Sequence, residues 1–519
     1  MVTTEEDAVS ALVMQGKDPR TGEVVGDPLT ETSPEELDAV LDAAARTAST
    51  LRATSPGERA AWLRAVAAAV DAAAPELVSL AEAETGLPQP RLTGEVTRTT
   101  NQLELFARVL EEGSFLEATI DHADPAAVPP YPDLRRVLEP LGTVLVFTAG
   151  NFPFAFSVAG GDTASALAAG CPVIVKSHPG HPGLSVRTGQ IVADALAGAG
   201  APGGSFAVVH GVDTGVAAIT DRRVRACSFT GSLAGGRALH ELAAGRPDPI
   251  PFYGELGSLN PVLVTRAAVA RRGAEIAKDY VASFTLGTGQ FCTKPGLLLL
   301  PRGHGLEAAL TDAADAVPPA PMLGSRIHQS FVSGVEALAG RTDIRPLRAP
   351  SVVDRPGSWA GAALFATTAA QVLAAPEQPL EECFGPVSLV VEYDSLEQAV
   401  AIVRGLGGSL TATLHAEDEG EDEDLTETVA ALSDVAGRLV WNGWPTGVAV
   451  GWATHHGGPW PATTDPLHTS VGASALRRFL KPAAYQSVPD RLLPAALQDD
   501  NPLRLPRRVD GVLVPGKPE

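Results

Sequence analysis

The sequence predicts an α/β protein with two doubly wound parallel-sheet domains and a small additional arm. Two segments, residues 137–255 and 260–450, alternate short apolar runs with stretches of helical character, which is the pattern of βαβ units. A proline-rich segment, residues 123–132, predicts an excursion outside the compact core. With 519 residues, of which 45% are hydrophobic, the chain is long enough for two or three packed domains.

The chain opens with a helical pattern. Between residues 34 and 80, apolar side chains recur at the spacing of one face of a helix, which predicts amphipathic helices. The residues that set this spacing are Leu37, Val40, Leu41, Ala44, Leu63, Val66, Ala67 and Val70.

Short apolar runs predict the strands of both sheets, since strands of parallel sheets are buried on both faces. In the first sheet these runs are residues 144–147, 173–175, 206–209, 226–229 and 250–253, and in the second 262–264, 297–300, 387–391 and 439–440. After residue 455 the chain is rich in Pro and Gly, which predicts a tail. We therefore expect the first domain in residues 1–122 and 138–256, the second in 257–455, and the arm and tail in 123–137 and 456–519.

Charge and cysteine content exclude several classes of function. The 39 basic and 61 acidic residues give a net charge of −22, which disfavours binding to nucleic acid or to anionic membranes. The four cysteines have no CxxC spacing, so neither a disulfide framework nor a cysteine-based metal site is predicted. The chain start lacks the features of a secretory signal, and the uncharged stretch 140–161 is interrupted by Pro153, so we expect a cytoplasmic protein without a membrane span.

Three residues stand where α/β proteins bind ligands. Asn151 and Glu255 follow predicted strands at the carboxyl edge of the first sheet, and Cys292 ends the glycine-rich stretch 287–292 after a predicted helix. Each has an ordinary alternative: a turn-capping Asn, an exposed carboxylate and a small buried Cys. Together they could form a nucleophile, a base and an oxyanion donor.

Two features favour binding of a phosphorylated cofactor. Phe229, Thr230, Gly231 and Ser232 lie between a predicted strand and a predicted helix, whose free N–H groups could hold a phosphate. Lys176 ends another strand at the same edge, where its cation could meet a ribose or a phosphate. No GxGxxG pattern is present here, so the usual dinucleotide fingerprint is missing.

In their order along nearly the whole chain, these residues resemble the aldehyde dehydrogenase superfamily. The matching motifs are Asn-Phe-Pro at 151–153, Glu-Leu-Gly at 255–257, Gly-Gln-Phe-Cys at 289–292 and Glu-Glu-Cys-Phe-Gly-Pro at 381–386. The resemblance implies that Cys292 attacks the aldehyde carbon and that Asn151 stabilises the oxyanion. After hydride transfer to the nicotinamide, Glu255 would activate the water that hydrolyses the thioester. The same resemblance implies that the first domain binds the cofactor and that the second domain is the catalytic domain.

The resemblance also implies the remaining site residues. Lys176, Ser177, Phe229, Thr230, Gly231, Ser232, Glu382 and Phe384 would bind the cofactor, with Glu382 on the nicotinamide ribose. His456 would modulate the nucleophile, or else be structural, and Phe156 and Trp444 would line the substrate tunnel. One departure is Ala149-Gly150, where the family usually has Pro-Trp. The arm and tail resemble oligomerisation elements, which implies a homodimer or homotetramer.

The substrate and the cofactor preference are narrower expectations. Residues 442–448, 456–459 and 461–465 resemble the branch that contains 2,5-dioxovalerate (α-ketoglutarate semialdehyde) dehydrogenases. Fatty or other aliphatic aldehydes, acyl transfer to coenzyme A, and a silent ligand-binding relative stay open as alternatives. NAD-preferring relatives commonly carry a glutamate where this chain has Pro179, so we expect NADP to be preferred and NAD to be possible.

Overall fold

The structure is a computed structural model that describes residues 13–350, 353, 355–378, 380–417 and 424–516. Its helices are α1 (Pro34–Ala53), α2 (Pro56–Ala72), α3 (Ala74–Thr85), α4 (Gln89–Glu112), α5 (Gly161–Ala169), α6 (Pro182–Gly198), α7 (Val212–Thr220), α8 (Leu233–Ala244), α9 (Arg266–Thr285), α10 (Glu307–Asp315), α11 (Ser325–Ala339), α12 (Ala369–Ala374), α13 (Leu396–Gly405) and α14 (Thr426–Val435). Its strands are β1 (Val13–Lys17), β2 (Val24–Thr30), β3 (Thr119–Asp121), β4 (Leu134–Pro140), β5 (Val144–Phe147), β6 (Val173–Lys176), β7 (Phe206–Val209), β8 (Ala226–Thr230), β9 (Phe252–Glu255), β10 (Pro261–Val264), β11 (Leu297–Pro301), β12 (Ala320–Pro321), β13 (Arg345–Arg348), β14 (Trp359–Ala360), β15 (Ala363–Thr368), β16 (Val387–Tyr393), β17 (Ser409–His415), β18 (Ala436–Trp441), β19 (Leu480–Gln486), β20 (Arg507–Val509) and β21 (Val512–Val514).

The first sheet is parallel and has the strand order β7-β6-β5-β8-β9. The order runs outward from β5 in both directions, so this sheet is doubly wound, as predicted, and its switch point lies at β5. Four of its strands lie where the sequence predicted them. The fifth was predicted at 250–253 but begins at Phe252, because Pro251 has no N–H to donate to the ladder.

The second sheet has the order β13-β15-β16-β11-β10-β17-β18, and only β13 runs antiparallel to its neighbour. Its central strands β10 and β11 are buried along their whole length between two clusters of apolar side chains. The predicted runs lie in β10, β11, β16 and β18, and the sheet contains three further strands. The predicted class, with two doubly wound parallel sheets, is thereby confirmed.

The predicted helical opening consists of α1 to α4. Ser33 and Ser55 begin α1 and α2 as capping boxes with Glu36 and Glu58, which satisfies the free amides of each first turn. Helix α4 lies against α2 and α5, and its buried face reaches the loop that follows β5. Among the residues described, none of the helices combines the length and the apolarity that crossing a bilayer requires.

A third sheet, of order β19-β4-β3-β20-β21, stands apart from the two parallel sheets. It joins residues 119–140 to the C-terminal part of the chain, and the buried guanidinium of Arg135 links Asp133 to Asp499 at 3.0 and 2.8 Å. The predicted arm and tail both contribute to this sheet. The third sheet also includes residues before 123 and after 137, in β3 and β4. The predicted domain boundaries therefore stay predictions.

Candidate active site

The three predicted catalytic residues come from different elements. Asn151 lies in the loop after β5, and Glu255 is the last residue of β9, so both stand at the carboxyl edge of the first sheet. Cys292 follows α9 and a short 3-10 helix, Leu286–Gly289, in the second unit. The site therefore forms where the two units meet.

The structure brings Cys292 and Glu255 together through His456. The sulfur of Cys292 lies 3.4 Å from Nε2 of His456, and the same nitrogen lies 3.0 Å from Oε1 of Glu255. Ser470 donates its hydroxyl to the other carboxylate oxygen at 2.6 Å. The sulfur, nitrogen and oxygen lie within 4.8 Å of one another, so the trio could also ligate a metal ion, although the sequence predicts no metal.

Burial and charge set the ionisation of this trio. Burial alone would raise the pKa of Glu255, but the charge of His456 and hydrogen bonds from His456 and Ser470 lower it to about 2. Burial and the negative charge of Glu255 raise the pKa of the Cys292 thiol well above its usual range. At neutral pH the resting site therefore holds an ionised carboxylate beside a protonated thiol.

Asn151 is held next to the nucleophile by a backbone contact. Its Nδ2 donates to the carbonyl oxygen of Gln290 at 3.0 Å, two residues before Cys292. The N–H of Cys292 finds no acceptor within the described part of the chain, and Asn260 donates to the carbonyl of Cys292 at 2.8 Å. The side-chain amide of Asn151 is the group that the family resemblance assigns to the oxyanion, and this N–H is a second donor beside it.

A glycine lets the Cys292 loop approach the Glu382 loop. Gly289 has φ of +66°, and a β-carbon there would lie 2.2 Å from the carbonyl oxygen of Gly385. Only glycine fits such a position. The nucleophile and Glu382 are thus fixed relative to each other through the backbone.

Lys176 ends β6 and Ser177 follows it, next to the end of β7, where the adenosine ribose is expected. Ser177 contacts Nδ1 of His210 through its hydroxyl at 2.8 Å. Burial lowers the pKa of Lys176 to about 8, and the negative charge of Glu31 opposes this shift. Glu31 is a residue that the sequence analysis missed; a β-carbon on Gly211 would lie 2.6 Å from its Oε2.

The predicted turn between β8 and α8 is present at Phe229, Thr230, Gly231 and Ser232. Not all of its N–H groups are free, however, because some are hydrogen-bonded within the protein. The N–H of Gly231 donates to the carbonyl of Glu255 at 3.0 Å, and Ser232 caps the helix by accepting from Gly235 at 3.2 Å. Within the described residues, the N–H groups of Leu233 and Ala234 have no acceptor, and both residues are exposed. The exposed first turn of α8 therefore offers the free donors that a phosphate requires.

Glu382 contacts the segment that connects β9 of the first sheet to β10 of the second. Its Oε2 accepts the N–H of Ser258 at 3.0 Å, and burial raises its pKa to about 7 against the opposing charge of Lys294. Phe384 is half-buried two residues further on. Together with Lys176 and the turn before α8, these positions fit a dinucleotide laid along the edge of the first sheet.

The two predicted tunnel residues lie in different surroundings. The ring of Phe156 lies 6.4 Å from the ring of His456, so it borders the nucleophile. Trp444 instead packs on His415 and Tyr280, at 4.5 and 5.8 Å between ring centroids. No contact joins Trp444 to Cys292 among the described residues, so its role in substrate binding has no support from these contacts.

Comparisons with known proteins agree with the motifs. The model of the aldehyde dehydrogenase family matches residues 7–459. The chain is similar to alpha-ketoglutaric semialdehyde dehydrogenase 2 of Azospirillum brasilense, with 44% identity over 519 residues and 98% of each chain covered. It is also similar to alpha-ketoglutaric semialdehyde dehydrogenase of Acinetobacter baylyi, with 40% identity over 486 residues, 92% of this chain and 91% of the relative.

Solved structures share the fold. Aldehyde dehydrogenase C of Pseudomonas syringae, a mutant in complex with NAD+ and octanal, superposes with a TM-score of 0.78 at 21% identity, over 92% of this chain and 94% of that one. A 1-pyrroline-5-carboxylate dehydrogenase from Thermus with bound NAD gives 0.75 at 22% identity, over 91% and 90%. The resemblance drawn from the motifs is confirmed by the match to the family model and by the two relatives. This chain belongs to the aldehyde dehydrogenase family and is an NAD(P)-dependent aldehyde dehydrogenase.

Proposed function

We propose that the enzyme oxidises 2,5-dioxovalerate to 2-oxoglutarate, with Cys292 as the nucleophile. The observation that carries the catalytic assignment is the contact series from Cys292 through His456 to Glu255, beside the Asn151 amide. The substrate is supported by the names of the two relatives, which are 44% and 40% identical over nearly the whole chain.

The first half of the reaction forms a thioester. In the tautomer that carries its proton on Nδ1, His456 accepts the thiol proton at Nε2, and the sulfur bonds to the aldehyde carbon. The oxygen of the adduct becomes negative and accepts hydrogen bonds from Nδ2 of Asn151 and the N–H of Cys292, each of which contributes about 3 to 4 kcal/mol to the barrier reduction. A nicotinamide cofactor, which Lys176, the turn at 229–232 and Glu382 would hold, would supply the acceptor for the hydride of the aldehyde carbon. Loss of this hydride leaves a thioester on Cys292.

The second half releases the acid. Glu255 is ionised at neutral pH, so it accepts a proton from a water molecule as the water oxygen attacks the thioester carbon. The carbon–sulfur bond breaks, and the leaving thiolate of Cys292 takes back the proton from Nε2 of His456. The acid product and Glu255 each lose a proton to solvent, so the product departs as a carboxylate and the base is restored. A buried base next to the sulfur favours water over coenzyme A as the acceptor.

We propose that NADP is accepted at the ribose edge and is the preferred cofactor. The support is the cation of Lys176 together with Pro179, a position without a carboxylate. Glu31 opposes this preference, because its charge faces Lys176 and would repel a 2′-phosphate. NAD use is therefore retained in the proposal.

We also propose a homodimer or homotetramer in the cytoplasm. The support for self-association is the exposed edge strand β21, where Val512 and Leu513 are 65% and 67% exposed. The support for the compartment is the small number of cysteines, with Cys171 and Cys227 buried and unpaired.

The activity is tested with a panel of aldehydes and both nucleotides. Purified enzyme is expected to reduce NADP with 2,5-dioxovalerate at a higher kcat/KM than with octanal, and Cys292→Ala is expected to lose all turnover while still binding nucleotide. A preference for octanal would favour the alternative substrate class, aliphatic aldehydes. A requirement for coenzyme A would contradict hydrolysis.

A further inference from the structure

The proposed substrate carries a carboxylate at the end away from its aldehyde, and none of the motif residues binds it. Helix α4 presents Arg91, Glu95 and Arg98 towards the loop 151–156 that follows β5. Their spacing of four and three residues places all three on one face of the helix. Two cations of α4 therefore reach the candidate active site.

Arg98 lies beside the reacting groups. Its guanidinium carbon is 5.3 Å from the centroid of the Phe156 ring, and that ring borders His456. Burial lowers the pKa of Arg98, and the charges of Glu95, Cys292 and Glu255 oppose this shift; the positive charge of Arg98 in turn opposes the rise in the pKa of Cys292. Arg98 thus shares one electrostatic environment with the nucleophile.

The guanidinium of Arg98 lies over the Phe156 ring but has no hydrogen-bond acceptor among the described residues. Its Nη1 is buried, and no hydrogen bond or ion pair joins the group to another residue that the structure describes. A buried cation with unsatisfied donors is costly, so such groups in proteins are normally paired. An anionic ligand would supply the missing acceptor.

Two neighbouring arginines, Arg91 and Arg438, use some of their donors in hydrogen bonds to backbone carbonyls. Arg91 donates to the carbonyl of Asn151 at 2.7 Å and lies 4.8 Å from the ring of Phe291, so it positions the Asn151 loop. Arg438 donates through Nη2 to the carbonyls of Pro445 and Gly447. Nη1 of Arg91 and Nε of Arg438 also lack an acceptor within the described residues, but Arg98 is the one of the three that makes no hydrogen bond there at all.

The acid on the same face, Glu95, interacts with Arg98 through its charge but is not hydrogen-bonded to it among the described residues. Oε1 of Glu95 accepts the N–H groups of Phe154 and Ala155 at 2.8 and 3.0 Å. No ion pair within 4 Å joins Glu95 to Arg98 among the described residues, and burial raises the pKa of Glu95. The carboxylate of Glu95 is thus used to hold the loop after β5.

We propose that Arg98 binds the carboxylate of the substrate, so that the enzyme selects short aldehydes with an acid group at the far end. The five donors of a guanidinium form a planar fork that pairs with two carboxylate oxygens. The aldehyde carbon then lies at Cys292 while the carboxylate lies beside Phe156. This inference rests on the proposed function, and in it Arg98 is the residue that recognises the carboxylate of the substrate.

The test compares charged and neutral aldehydes in matched variants. In Arg98→Gln, kcat/KM for 2,5-dioxovalerate is expected to fall on the order of 100-fold, mainly through KM, because a bidentate charged pair is lost. For pentanal, which has the same chain length and no charge, kcat/KM is expected to stay within about threefold of the wild type. Arg98→Lys should recover part of the loss, since a lysine keeps the charge but not the fork.

The control is Arg108→Gln, an exposed position of the same helix, which is expected to leave both substrates unchanged. Melting temperature and nucleotide binding are measured for every variant, so that a folding defect is detected, and Arg98→Lys then serves as the test variant. An equal fall for pentanal and 2,5-dioxovalerate, or no fall for either, would overturn the assignment of Arg98. Failure of the wild-type enzyme on 2,5-dioxovalerate, with turnover of neutral aldehydes, would instead overturn the proposed substrate.

Discussion

At the scale of single residues, one ring nitrogen faces two different partners. Nε2 of His456 contacts both the sulfur of Cys292 and the carboxylate of Glu255. A nitrogen holds one proton at a time, so it can accept from the thiol and afterwards donate to the carboxylate, which stabilises the imidazolium. Because the pKa of the thiol is raised, this local transfer has to supply the thiolate at neutral pH.

The first prediction concerns this proton. In His456→Asn, alkylation of Cys292 by iodoacetamide is expected to slow on the order of 100-fold at pH 7, because the acceptor for the thiol proton is gone. The rate should rise with pH and approach that of the wild type only as solution hydroxide begins to ionise the thiol. Mass spectrometry of the labelled peptide gives the rate at this cysteine alone.

His455→Asn is the matched control, because this neighbouring histidine is half-buried and does not contact the sulfur. It is expected to leave the pH profile unchanged. If His456→Asn were alkylated at the wild-type rate at pH 7, the histidine would be structural and the proposed relay would be wrong.

Catalytic residues could be predicted from the sequence where they follow a strand end or a glycine-rich loop, since ligands bind at such positions. Cys292, Glu255 and Asn151 follow a glycine-rich loop or a strand end, and the structure brings them together. Ser470 could not be predicted, because its role is a hydrogen bond to Glu255, which is 215 residues away in the chain. Arg98 was missed as well, although its spacing from Glu95 on an amphipathic helix was a usable signal.

At the scale of elements, the ends of β6 and β7 and the segment before α1 form one surface. Thr32 fixes this segment, since it donates its N–H to the carbonyl of His210 and accepts the N–H of His210, at 3.0 and 2.8 Å. Its neighbour Glu31 is thereby held against the start of α7. A carboxylate at the ribose edge thus comes from the N-terminal part of the chain, while position 179 has none.

The second prediction follows from this placement. Glu31→Gln is expected to raise the ratio of kcat/KM for NADP to that for NAD by about tenfold, because a negative charge near the 2′-phosphate is removed. Pro179→Glu should change the ratio in the opposite direction. Glu35→Gln, an exposed acid in the first turn of α1, is the control and should leave the ratio unchanged. An unaltered ratio in Glu31→Gln would contradict a role of Glu31 at the ribose.

Elements with continuous apolar runs were predictable, and those with polar residues were not. The strands β10 and β11 consist almost wholly of Val and Leu, and they lie where expected. Strand β17 carries Ser409, Thr411 and Thr413, yet it is buried throughout. The hydroxyl of Thr411 is satisfied by a distant partner, since it donates to Asn260 at 2.9 Å, and the sequence cannot reveal such pairing. The hydroxyl of Thr413 has no hydrogen-bond partner among the described residues.

At the scale of the whole molecule, the site depends on two units that are joined at their sheet edges. The nucleophile belongs to the second unit, and its base and oxyanion amide belong to the first. The third sheet lies outside both and ends in β21, which is paired on one side only, with β20. Val512 and Leu513 of this strand are largely exposed, so an apolar edge is available to a second copy of the chain.

The third prediction is that this edge holds the subunits together. Leu513→Glu is expected to shift the oligomer to a smaller species in light scattering after size-exclusion chromatography, because a buried charge in an apolar interface is strongly unfavourable. Leu467→Glu, a position that is 87% exposed and outside the edge strand, should leave the mass unchanged. Equal masses for the wild type and Leu513→Glu would contradict β21 as the contact. Since Cys292 and Glu255 lie within one chain, a dissociated Leu513→Glu variant should keep its catalytic contacts, and any fall in kcat would report loosening of the junction between the two units.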